Sequence, residues 1–219
     1  MPARPFAVKK QTVVLRVDTD ACLVQGYTEL VIKPGSTDIK DLKLHCRQLK
    51  VLNVKVDDHT AKFKHEDPLA QSIVPESVLA GQDASGQDLD GKVTVKHFDE
   101  YYVKALVKSE AGELVISMPP ILFAEEEIKV RVDFVLSGKT GQSEGARFVE
   151  FREGAPMPPH FYAYSRDPGP WGARMWLPCV DERVVAYPYE IYVTTAARNA
   201  VVCSGNLERQ TCTDDALDR

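Results

Sequence analysis

Alternation of apolar and polar positions runs through most of the chain. Ile128, Val130, Val132, Phe134 and Leu136 are apolar while Lys129, Arg131 and Asp133 lie between them, which predicts a long strand with one wet face. Val13, Leu15 and Val17 repeat the pattern over a shorter span. The run Gly26 to Lys33 ends at Pro34-Gly35, a pair that stops a strand in a turn. Leu42, Leu44 and Cys46 alternate with Lys43 and His45, and Leu52, Val54 and Val56 with Asn53 and Lys55. Glu113 to Met118 and Tyr187 to Thr195 complete the set, the latter with Tyr187, Tyr189, Ile191 and Val193 on one face. Strands at such short intervals, joined by turn-rich links, predict an all-β antiparallel sandwich rather than βαβ units.

One stretch has a helical period instead. Phe98, Tyr101, Tyr102, Ala105 and Leu106 recur at spacings of three and four, with Asp99 and Glu100 ahead of Lys104 and Lys108, which predicts one short helix inserted among the strands. The polar, Gly-punctuated run from Gly81 to Gly91 predicts a mobile loop at about 80–92 inside one domain that spans 1–219. Ala155 to Pro159 reads as an extended connector, because each proline fixes φ and removes a donor.

Composition narrows the function classes. A 219-residue chain that is 44% apolar can bury a sizeable core without disulfide or metal, and no apolar run approaches the ~20 residues of a membrane helix. The first ten residues show no h-region or cleavage site, so no secretion signal is expected. A net charge of −5 argues against strong non-specific nucleic-acid binding by this segment, which needs a cationic surface. Five scattered cysteines without a CxxC pair predict reduced intracellular thiols and no zinc knuckle.

The familiar catalytic signatures are each incomplete. His65-Glu66-Asp67-Pro68-Leu69 begins like a zincin helix, but Leu69 stands where the second ligand belongs and Pro68 breaks the helix. Ser137 to Gly141 resembles half a phosphate loop, yet Asp133 occupies the place of its first glycine, and a hairpin turn fits better. Asp88-Leu-Asp-Gly91 lacks the spaced ligands and closing Glu of a calcium loop. The residues therefore predict no catalytic site, no metal, no cofactor and no small-molecule substrate. Between Lys40 and Lys64 seven basic residues face three acidic ones. Lys43, Arg47 and Lys50 mark this basic edge as a candidate interaction surface, although outward lysines also simply block edge-to-edge aggregation.

The most specific passage is Trp171-Gly-Ala-Arg-Met-Trp-Leu-Pro-Cys-Val-Asp-Glu182, followed by the Tyr187 to Thr194 run and then Asn199-Ala-Val-Val-Cys-Ser-Gly-Asn206. It resembles the "AR-x-[FW]-PC-x-D-E" segment of the amino-terminal domain of M1-type aminopeptidases. The early Gly26 to Ile32 and Leu42 to Val51 runs resemble that domain in the same order. Arg174, Trp176, Pro178, Cys179 and Asp181 carry the motif, and structural duties explain four of them: Pro178 at a strand entry, Cys179 as a small hydrophobe, Asp181 as an acceptor at a turn and Arg174 paired with a carboxylate. Within the superfamily the chain is more similar to the non-peptidase branch, the TFIID subunit 2-like general transcription factors. Gly172, Met175 and Arg183 replace the Asp, second Arg and Pro that peptidases have, and Ser165 to Pro170 shows no clear Gln–Glu pair.

The resemblance implies a saddle-like β domain and a nuclear scaffold. It also implies partners among other TFIID subunits, including the largest subunit and the histone-fold subunit 8, with core promoter DNA at the initiator met through the whole assembly. The rival implication is the amino-terminal domain of a genuine zinc aminopeptidase, for which the Asp181-Glu182 pair speaks. In either case the zinc ligands of the family lie in a downstream domain.

Overall fold

The computed structural model of the chain describes residues 4–67, 112–120, 126–138, 145–149, 159–164, 172–182 and 186–212. Eleven strands lie within them. In chain order they are β1 (Phe6–Asp18), β2 (Leu23–Pro34), β3 (Asp41–Leu44), β4 (Lys50–Val56), β5 (His59–Thr60), β6 (Phe63–His65), β7 (Leu114–Ser117), β8 (Ile128–Ser137), β9 (Ala146–Val149), β10 (His160–Ala163) and β11 (Tyr189–Thr195). A six-stranded sheet has the order β11-β1-β2-β8-β4-β5, a three-stranded sheet the order β3-β7-β6, and β9 pairs with β10. The expected helix at 98–106, the loop at 80–92, residues 155–158 of the proline-rich connector and Ser165 to Pro170 lie outside the described residues. Among the described residues no helix is long and apolar enough to cross a membrane.

The alternation that predicted the strands also decides which face they bury. Val13, Leu15, Val24, Leu30, Ile32, Val54, Val56, Val130, Val132 and Phe134 line the inner face of the large sheet. Leu42, Leu44, Leu114 and Ile116 of the three-stranded sheet join them in one apolar cluster. Burial of that surface, at roughly 25 cal/mol per Å², is the main force holding the two sheets together. Turns are built from local chemistry. The Asp18 carboxylate accepts the backbone N–H groups of Asp20 (3.0 Å) and Ala21 (2.8 Å) between β1 and β2. Asp57 and Asp58, both at positive φ, form the two-residue link between β4 and β5, the geometry that matches the twist of paired strands.

Two departures from the sequence pattern have physical causes. Leu52 alternates with the core positions of its strand, yet it is 53% exposed. The register of β4 against β8 slips between Val51 and Asn53, so a bulge turns Leu52 outward while Val54 and Val56 stay inward. The sheet is also not wholly antiparallel. β11 runs parallel to β1, from Gln11 opposite Tyr189 to Val17 opposite Thr195. A parallel partner needs a long crossover, here everything between the two strands, and alternation alone says nothing about direction.

Gly26 shows how tightly the sheet closes. It sits between Leu15 on β1 and Phe134 on β8, and a Cβ placed there would lie 1.9 Å from the Val14 carbonyl oxygen. Backbone cannot yield as a side chain does, so Gly26→Ala is expected to destabilise the chain by about 3 kcal/mol, the upper end of overpacking effects. By contrast Leu52→Ser is expected to stay within about 0.5 kcal/mol, and Leu30→Ala to cost about 2–5 kcal/mol. Urea unfolding of the three variants checks this ranking. A Leu52→Ser loss as large as that of Leu30→Ala would contradict the bulge.

Candidate functional site

The segment singled out by its motif folds against the link between β3 and β4. A 3-10 turn over Ala173–Met175 carries Arg174. Beyond it His45 and Cys179 form an antiparallel bridge, with His45 N–H donating to the Cys179 carbonyl at 2.8 Å and Cys179 N–H to the His45 carbonyl at 3.0 Å. Arg47 N–H donates to the Arg174 carbonyl at 2.8 Å. These backbone bonds continue β3 into the motif segment and fix where its side chains point.

Between them lies a buried charge cluster. Arg47 Nε donates to Glu113 Oε1, with both side chains almost wholly buried. The second oxygen of Glu113 accepts Cys46 N–H at 3.0 Å, and Arg174 Nη1 stands 3.8 Å from Oε1. Arg174 turns its Nε to Asp181 Oδ2 and its Nη2 to the Asp181 carbonyl, both at 2.9 Å. Asp181 N–H donates to His45 Nδ1 at 2.9 Å, which makes that nitrogen an acceptor and puts the ring proton on Nε2. On the outer side Arg4 Nε meets Glu182 Oε1 at 2.7 Å and Arg4 Nη1 the Lys43 carbonyl at 2.7 Å. Glu113 can reach this position because Gly112, at φ +118°, passes so near the Leu44 carbonyl that a Cβ would lie 2.5 Å from its oxygen.

The remaining motif residues are equally engaged. The Pro178 carbonyl accepts Gln11 Nε2 at 3.1 Å, and Gln11 also donates to Thr28 Oγ1 at 2.7 Å inside the core. Trp176 packs half-buried against the apolar cluster. Burial holds the Cys46 and Cys179 thiols well above the usual cysteine range, so neither is a thiolate nucleophile at neutral pH. Burial likewise raises the Asp181 carboxyl, against the opposing pull of Arg174. Among the described residues no buried side-chain nitrogen or oxygen lacks a partner, and no three His, Cys, Asp or Glu side chains gather as a metal would require.

The basic edge needs correction. Arg47 is 1% exposed and belongs to the interior charge cluster, so it presents no surface. Its position continues the alternation of an edge strand, which hid that the chain turns inward after Leu44. Lys43 and Lys50 are exposed but sit on different sheets, Lys43 on β3 and Lys50 at the start of β4. The residues that complete the charge cluster, Glu113, His45 and Arg4, were not marked by any sequence signal. An acid at the head of a strand reads as solvated until the fold brings two arginines to it.

No family model matches the chain. Curated relatives do. Transcription initiation factor TFIID subunit 2 of Danio rerio is 27% identical over 224 residues, covering 97% of this chain and 17% of that protein. The Gallus gallus and Drosophila melanogaster proteins of the same name are 26% and 23% identical, over 97% and 98% of this chain. The chain is similar to TFIID subunit 2. It spans about a sixth of the length of these relatives, 17–18%. Among solved structures, an M1 zinc metallopeptidase from Deinococcus radiodurans superposes with a TM-score of 0.58 at 14% identity, over 97% of this chain and 37% of its own. Yeast LTA4 hydrolase in complex with bestatin gives 0.57 at 15% identity, over 87% of this chain and 23% of its own. The fold is that of M1 aminopeptidase amino-terminal domains.

Removing one partner from a buried ion pair leaves an uncompensated charge, which costs about 3–5 kcal/mol. Glu113→Gln is expected to destabilise the chain by that amount in urea unfolding, and an effect below about 1 kcal/mol would contradict the cluster. Asp181 gives a pH test. Because its folded pKa lies above the unfolded one, its contribution is complete below the unfolded pKa and is lost as pH rises through the folded pKa. The stability gap between the unsubstituted chain and Asp181→Asn is therefore expected to shrink from pH 3 to pH 7 in thermal melts. A gap that widens would mean that pairing with Arg174 outweighs burial.

Proposed function

We propose that this chain is a non-catalytic interaction domain of a TFIID subunit 2-like general transcription factor. On this reading residues 1–219 form one β domain of a nuclear scaffold. It supports TFIID assembly through other subunits, the largest subunit and the histone-fold subunit 8 among them, and serves initiator recognition through the assembly as a whole. The observation that carries the reading is the similarity to TFIID subunit 2 over 97% of the chain. The geometry supports it, because Arg174, Cys179 and Asp181 join the motif segment to the β3–β4 link, while Pro178 meets Gln11 and Trp176 packs on the core. Surface recognition then needs no chemistry and no cofactor.

A second reading has its own observation. Solved neighbours include an M1 zinc metallopeptidase, and the Asp181-Glu182 pair resembles the end of the aminopeptidase motif. Here, however, both carboxylates point at arginines of the same chain, Asp181 at Arg174 and Glu182 at Arg4.

Immunopurification of the tagged full-length gene product from nuclear extract separates the two. The expected result is co-purification of the largest TFIID subunit and subunit 8, with hydrolysis of a leucine anilide at background. Chelator-sensitive hydrolysis without either subunit would establish the peptidase reading instead.

A further inference from the structure

The fold redistributes the basic residues that the sequence places in one run. Arg47 goes inside and Lys50 to the large sheet, while Lys62 and Lys64, some twenty positions along the chain, come to the side of Lys43. Lys43 on β3 and Lys64 on β6 both pair with Val115 on the central strand β7. Ser117 N–H donates to the Lys62 carbonyl at 2.8 Å, and Met118 N–H to the Lys40 carbonyl at 2.8 Å. Because Leu42, Leu44, Leu114 and Ile116 point into the core, Lys43, Val115 and Lys64 form one row on the opposite, outward face. Asp41, Ser117 and Lys62 form the row beside it.

Lys40, Lys43, Lys62 and Lys64 are exposed, and among the described residues of these strands and their flanks Asp41 and Glu66 are the acids beside them, the latter paired with Lys64 at 2.7 Å. Among the described residues a local positive excess remains there, on a chain whose net charge is −5. The row is not uniformly polar either. Val115 at its centre is half-buried.

We propose that the outward face of this three-stranded sheet is a docking site for an acidic polypeptide segment of a partner protein, with carboxylates on either side of an apolar residue. Lys43 and Lys64 flank Val115 across two strand spacings, so their Cα atoms stand roughly 10 Å apart. An extended segment crossing the strands turns every second residue to one side, so two carboxylates that flank an apolar residue on that side stand about 13 Å apart, a span that flexible lysine stems accommodate. Charge complementarity selects this occupant over duplex DNA. A duplex carries one charge per roughly 1.7 Å and would run far past the small basic face, into the field of an acidic molecule. A short acidic segment needs only the local excess. The inference stands on the chemistry of the sheet and does not depend on the transcription-factor reading.

The test is fluorescence anisotropy with the 219-residue chain and two labelled probes, a 15-residue peptide in which every second residue is serine and the residues between alternate glutamate and leucine, and a 30-base-pair duplex. The chain is expected to bind the peptide, with affinity falling at least tenfold in Lys43→Glu/Lys62→Glu/Lys64→Glu and about threefold or more in the matching glutamine triple. A control triple, Lys9→Glu/Lys50→Glu/Lys129→Glu, changes net charge equally on the other sheet and is expected to stay within twofold. These side chains are exposed, and circular dichroism melts check that each variant is folded. Failure of the unsubstituted chain to bind the peptide would overturn the proposal, as would equal losses in the two glutamate triples. Tighter binding of the duplex, lost in the same triple, would overturn it in favour of nucleic acid.

Discussion

Glu113 holds the structure to a single arrangement. Its carboxylate lies fully inside the protein between the guanidinium groups of Arg47 and Arg174, with Cys46 N–H on its second oxygen. Ions withdrawn from water lose several kcal/mol of hydration each, and only close, well-aligned partners restore it. The partners come from three distant stretches of chain: the link after β3, the head of β7 and the 3-10 turn of the motif segment. None of these stretches can shift without stranding a buried charge, so the cluster sets how the small sheet and the motif segment seat on the large one. Apolar burial supplies the bulk of the stability, but it is non-directional. The charges and their hydrogen bonds supply direction.

That arrangement bears on what the domain does. Cysteine, histidine, arginine and acid are the residue types from which catalytic sites are assembled, and the motif segment and the β3–β4 link contain all of them. Here they face one another. Cys46 and Cys179 are buried thiols, His45 accepts a backbone N–H, and Asp181 and Glu182 are met by Arg174 and Arg4. Chemistry-bearing side chains engaged in this way serve the fold, and on the proposed reading it is the outer faces that meet a partner. On those faces charge is uneven, with a small basic sheet on an acidic body, and unevenness of that kind confers selectivity between partners.

Much of the fold was legible in the residues, and particular positions show why. The ten-residue alternation of β8 could bury only one face, and it does so at Val130, Val132 and Phe134. Leu52 was misread because a bulge adds one residue to a strand without any mark in a period-2 pattern. The parallel placement of β11 was not readable either, since alternation carries no direction. The site was less legible than the fold. Arg174 and Asp181 stood out within a specific motif, whereas Glu113 was one acid among many and Arg47 one base in a basic run.

The residues by themselves determined the strand content, the faces that turn inward, the mild acidity of the whole and the motif segment from Trp171 to Glu182. These are properties of neighbouring positions, set by sterics and by solvation along a few residues at a time. Tertiary structure decided which charges are buried and paired, which lysines share a surface, and which strand lies beside the first. Those outcomes depend on contacts between residues tens to more than a hundred positions apart, such as Arg47 with Glu113 or Gln11 with Tyr189. No local pattern encodes such contacts, because the free energy that favours them exists only once the intervening chain has folded.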